Sequence, residues 1–107
     1  MDLVNDVYRI TQNLPASENF TLTSQIRRSA ISIPSNIAEG YKRRSLGEYI
    51  QFLGIAEGSS AELETQLYIC KASYPKLDYA EALSLLTEVQ KMLYALIQKL
   101  KQSTTTL

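Results

Sequence analysis

Between Tyr49 and Cys70 the small or apolar residues Tyr49, Phe52, Leu53, Ala56, Ser60, Leu63, Leu67 and Cys70 recur every three or four positions. That is the period of an α-helix with one buried face. At 1.5 Å per residue the stripe is roughly 30 Å long, and it needs neighbours of comparable length to cover it. The segment Ser45–Leu46–Gly47–Glu48 fits a capping box at its start, and Pro75 predicts an end near Ser73. Its middle is small: Gly54, Ala56, Gly58, Ser59, Ser60 and Ala61. Each glycine inside a helix costs about 1 kcal/mol relative to alanine, so the sequence predicts close approach of another helix at this level.

Three further segments carry the same period. Leu3, Val7, Ile10 and Leu14 predict a first helix over about residues 2–12, followed by a polar turn at Asn13, Pro15 and Ser17. No capping residue precedes it, so it is expected to begin inside a longer helix. Ile26, Ala30, Ile33, Ile37 and Tyr41 predict a second helix, capped by Thr21 or Thr23. Its stripe passes through Pro34, where one backbone hydrogen bond is lost and the ring presses on the Ala30 carbonyl. A kinked helix is expected; the alternative is a break, with a new helix opening at Ile33 and Pro34. The fourth helix opens at a second candidate capping box, Asp78 to Glu81, and its stripe includes Leu83, Leu86, Leu93 and Leu100. Four amphipathic helices with short connections predict an all-α, antiparallel four-helix bundle over residues 1–102, with 103–107 a disordered polar tail.

Charge narrows the function classes. The 107-residue chain is formally neutral, yet residues 23–44 carry +4 and residues 45–73 carry −3. There is no histidine, and the single Cys70 falls on the apolar stripe, where it reads as a small buried hydrophobe. Paired Glu-x-x-His motifs, as in di-iron bundles, cannot be built from Glu57, Glu62 and Glu64 alone, and no phosphate-cradling glycine motif is present. No enzyme activity, metal or cofactor is expected. With no apolar run near 20 residues and no basic leader in MDLVNDVYRI, the expected location is the cytoplasm, away from membranes.

Within the charged stretch, Arg27 is expected to join Asn36, Glu39, Glu57 and Glu62 in a structural polar network, pairing with Glu57 or Glu62 because guanidinium suits partly buried carboxylates. Gly40 marks the helix exit. Lys42, Arg43 and Arg44 suit the negative end of a helix dipole with no ligand at all. They are also, with Arg28, candidates for phosphate contacts, beside Tyr41 as a stacking platform.

The segments LTSQIRRSAISIPSNIAEGYKRRS (22–45) and EYIQFLGIAEGSSAELETQLYI (48–69) closely resemble the four-helix-bundle family encoded in intervening sequences of bacterial 23S rRNA genes. The likeness extends through Lys91–Met92–Leu93 and Leu96–Ile97 to Lys101, although family members place further residues ahead of Asp2–Leu3. It implies a ring-like homopentamer and kinship with accessory proteins of diversity-generating retroelements, which form similar rings, bind nucleic acid and engage a reverse transcriptase. Independently, seven tyrosines and a wide apolar face on the fourth helix favour self-association. The expected function is therefore a non-enzymatic, homo-oligomeric scaffold that contacts RNA or DNA through a basic rim. The alternative is a ring that docks a partner protein and has no nucleic-acid role.

Overall fold

Each apolar stripe lies on a helix in the computed structural model, which describes residues 1–105. Among the described residues there are four α-helices and no strand: α1 (Asp2–Thr11), α2 (Leu22–Tyr41), α3 (Leu46–Ser73) and α4 (Ala80–Thr105), with a short 3₁₀ turn at Ala16–Glu18. The body measures 52 × 22 × 19 Å, a cross-section two helices wide in each direction. α2 packs on α1 and most extensively on α3, α3 packs on α4, and α1 closes the circuit against α4. Neighbours run antiparallel: Ser29 meets Glu62, Ser32 meets Ser59, and Gly40 lies against Phe52. The chain is a four-helix bundle.

The core is built from the stripes, except that Tyr41, at the end of the α2 stripe, lies outside it and is exposed. Leu3, Val7 and Ile10 of α1, Ile26, Ala30 and Ile33 of α2, Leu53, Leu63 and Leu67 of α3, and Leu86 and Leu93 of α4 are all buried. Cys70 is buried with them, and its thiol lies 3.3 Å from the Tyr79 hydroxyl. The four helices are unequal. At 1.5 Å per residue, the ten residues of α1 reach about 15 Å and the 28 of α3 about 42 Å. α1 therefore covers only the end where α2 and α4 begin: Arg27 bonds Thr11 there, and Arg9 bonds the Asp78 carbonyl.

The helix ends follow local chemistry, with differences from expectation. Ser45 caps α3 by accepting the Glu48 amide at 3.1 Å. Thr21 holds the cap position of α2 without capping it, because its hydroxyl donates to Glu18 at 2.7 Å; the Thr23 hydroxyl is buried with no hydrogen-bond partner. Asp78 accepts the amide of Ala80, two residues on, so the expected Asp78–Glu81 box gives way to an Asx turn. α2 is continuous through Pro34, which sets aside a new helix starting at Ile33. α4 continues past residue 102 to Thr105; residues 106–107 of the expected tail lie outside the described residues.

Two loops are strapped together at the α1 end. The Tyr74 hydroxyl donates to Glu18 at 2.6 Å, tying the α3–α4 connection to the α1–α2 connection. That bond, followed by the Thr21 hydroxyl, holds the Glu18 carboxyl below its ordinary range, and the same pairing raises the Tyr74 phenol.

Candidate nucleic-acid interface

The exit of α2 is built on Gly40. A Cβ there would stand 2.6 Å from the Phe52 Cβ and 3.2 Å from Tyr49 Cδ1, so only glycine lets α2 end this close to the first turns of α3. The backbone then leaves through two turn bonds, Lys42 amide to Glu39 carbonyl and Arg43 amide to Gly40 carbonyl, before Ser45 caps α3. Four residues between two anchored helix ends leave little slack. The side chains of Tyr41 to Arg44 are thus displayed from a fixed corner.

Those side chains divide into two sets. Arg43 has partners within the chain: although its side chain is 42% exposed, its guanidinium lies 4.6 Å above the Phe52 ring and 3.5 Å from the Glu39 carboxylate. Tyr41, Lys42 and Arg44 face outward. Tyr41 is 76% exposed, yet its ring meets Tyr49 edge-to-face, with centroids 6.0 Å apart. Lys42 and Arg44 are exposed, and neither forms an ion pair among the described residues. Arg28 is not brought to this corner. It sits fourteen residues back on α2, about 21 Å along the axis, in a cleft with Gln25, Glu62 and Gln66.

The expected polar network is partly redrawn. Arg27 turns away from α3: its Nε donates to the Thr11 hydroxyl at 2.8 Å and its guanidinium lies 4.3 Å over the Tyr8 ring. Neither Glu57 nor Glu62 forms a salt bridge with it among the described residues. The physical reason is azimuth. Arg27 lies about 100° around α2 from Ile26, on the α1 side, whereas Ser29 and Asn36 lie on the α3 side. The α2–α3 seam is instead joined by hydroxyls: Ser29 donates to Glu62 at 2.7 Å, and Ser32 pairs with Ser59 at 2.8 Å. Asn36 supports that seam by donating to the Ser32 carbonyl and hydroxyl, while the Glu39 carboxylate accepts from Arg43, two residues beyond the end of α2, and not from α3 among the described residues. Gly54 and Gly58 also depart from expectation. A Cβ on either would meet nothing within 4 Å, so no helix of this chain approaches them.

The described residues contain no group of three or more acids or cysteines placed to hold a metal ion, and no helix long and apolar enough to cross a membrane. What the α2 exit offers chemically is two unpaired cations beside an open aromatic ring. That is a surface for anions with planar groups attached.

Comparison with known proteins is consistent with this architecture. The chain is similar to a solved structure from Bacteroides thetaiotaomicron, described as a protein of unknown function from the S23 ribosomal protein family. The two are 24% identical over 90% of this chain and 92% of that one, with a TM-score of 0.80, which establishes a shared fold. Comparison with curated proteins finds no match. The family described as 23S rRNA-intervening sequence protein matches residues 1–95, spanning α1, α2, α3 and most of α4. On that match the chain belongs to the 23S rRNA-intervening sequence protein family.

Proposed function

We propose that this protein is a non-enzymatic, cytoplasmic, homo-oligomeric helix-bundle scaffold that contacts RNA or DNA through the basic exit of α2. The observation that carries the nucleic-acid part is the exposed, unpaired state of Lys42 and Arg44 beside Tyr41. Cations without protein partners are available to neutralise phosphates. In this reading Pro34 bends α2 so that the corner sits at one rim of the assembly, and a ring of five copies repeats it. The repetition compensates for a neutral chain, since several weak sites on one rim bind one long polymer far more tightly than each alone.

Self-association is supported by Gly54 and Gly58, which the chain leaves facing open space, and by Ile55 beside them, which is 49% exposed. Small and apolar residues on an otherwise polar helix back suit the close approach of another protomer. Light scattering at micromolar concentration tests assembly, and a monomer there overturns it. Retention on RNA or single-stranded DNA near physiological salt tests the contact. Retention that is absent, or unchanged when Lys42 and Arg44 become Ala, overturns the nucleic-acid role.

A second reading keeps the ring but replaces the nucleic acid with a partner protein. The exposed Tyr68, Ile69 and Tyr94 on α3 and α4 favour it, because large apolar side chains in water are common at protein contacts. Affinity capture from native cells that returns nucleic acid without protein counts against it.

A further inference from the structure

Resting on the reading that the α2 exit meets nucleic acid, we infer that the form it takes is single-stranded: one base stacks on Tyr41, and the flanking phosphates lie on Lys42 and Arg44. Arg43 is a positioning residue that braces the corner without touching the ligand.

Three observations converge on this. First, of the three cations at this corner Lys42 and Arg44 have no protein partner among the described residues, whereas Arg43, itself partly exposed, already leans on Phe52 and Glu39. Two phosphate contacts per protomer make a weak electrostatic site, with a salt slope near −1.4 for a single strand at about −0.7 per contact. A duplex offers this corner little beyond those phosphates, since its base faces are hidden in the stack. Second, Tyr41 is open to solvent over 76% of its surface, although it is an aromatic side chain with an apolar body. A single strand presents base faces to such a ring, and stacking on aromatics tolerates any base. Third, the ring is held in place before any ligand arrives. Its backbone is the residue after Gly40, pinned against Phe52, and its edge-to-face contact with Tyr49 limits its swing. A fixed aromatic loses less freedom on binding than a mobile one.

The test uses the full chain and a fluorescent mixed-sequence RNA of about a dozen nucleotides, single-stranded or annealed to its complement, read by anisotropy across a salt series. The single strand is expected to bind more tightly than the duplex. Tyr41→Ala should weaken single-strand binding about tenfold with the salt slope unchanged, and Tyr41→Phe should restore it. Lys42→Ala and Arg44→Ala should each make the slope shallower by about 0.7, while Arg43→Ala should leave it unchanged. Equal binding of duplex and single strand, or a Tyr41→Ala protein that binds like the parent while the lysine and arginine variants still respond, overturns the single-strand inference and leaves the nucleic-acid reading standing. No binding of either form overturns both. Because Tyr41 is exposed, circular dichroism of the Ala and Phe variants is expected to match the parent.

Discussion

Replacing Gly40 by alanine should loosen the corner on which the exit is built, by an amount that follows from two distances. The new methyl would stand 2.6 Å from the Phe52 Cβ and 3.2 Å from a Tyr49 ring carbon. Comfortable carbon–carbon contact begins near 3.5 Å, so the first clash is short by almost 1 Å. The obstructing atom is a Cβ, rooted in the backbone of α3, and rotation of the Phe52 ring cannot relieve it. α2 and α3 must separate at this end, and such overpacking costs about 1–3 kcal/mol. Alanine's better helix propensity returns up to about 1 kcal/mol, and less here because Gly40 is the penultimate residue of α2. A net loss of about 1–2 kcal/mol remains, which lowers the melting temperature by roughly 5–15 °C for a domain near 100 residues. Thermal and urea melts followed by circular dichroism measure it. Gly47→Ala is the internal control: the same substitution in the same bundle, but in the first turn of α3 with nothing within 4 Å, should stabilise by up to about 1 kcal/mol. Destabilisation of similar size at Gly40 and Gly47 would refute the reasoning, because it would mean that close approach is not what makes Gly40 irreplaceable.

Other outcomes follow from the polar contacts. Glu18 has its carboxyl pKa held below the ordinary 4.5 by Tyr74 and then Thr21, so its contribution to stability is complete above pH 4.5 and is lost as pH falls through the lowered value. Glu18→Gln should therefore melt lower than the parent at neutral pH and lose less on acidification; parallel curves for the two proteins would show that the strap is energetically silent. A double-mutant cycle between Arg27→Ala and Tyr8→Ala should give a coupling of about 0.5–1 kcal/mol, as expected for a cation over an aromatic face, and zero coupling would reject that contact. Cys70 should react with a thiol reagent only after urea unfolding, since burial both covers the thiol and pushes its pKa up. Rapid labelling of the native protein would contradict the packing of α3.

The four helices were legible because their apolar residues keep one period, and burial of Leu3, Ile26, Leu63 and Leu93 follows directly from it. Gly40 was legible as an exit, and the Ser45 cap as a start, because both are local. What a linear reading mistook were choices among competing partners. Tallying charges sent Arg27 toward the acidic third helix, yet neutral Thr11 and Tyr8 were nearer in azimuth and took it. Thr21 looked like a cap until Glu18, three residues earlier, claimed its hydroxyl. Arg43 looked equivalent to its neighbours in the basic run, and only the approach of α3 brought Phe52 beneath it. Gly54 and Gly58 read as signs of a neighbouring helix, yet no helix of this chain approaches either.

The shortness of α1 has a consequence for where this molecule breathes. At the end where α2 and α4 begin, four helices enclose the core and the Tyr74–Glu18 bond laces two loops together. At the other end, beyond the reach of α1, only α2, α3 and α4 remain. Local opening costs least where fewest layers must separate, so amides around Ile37, Ile50 and Leu100 should exchange with deuterium sooner than those around Ile10, Leu67 and Leu86. The basic corner is mounted on that softer end. A strand seated across Tyr41 and Arg44 would therefore do more than occupy a surface: by joining the end of α2 to the start of α3, it would stiffen the half of the bundle that α1 leaves uncovered.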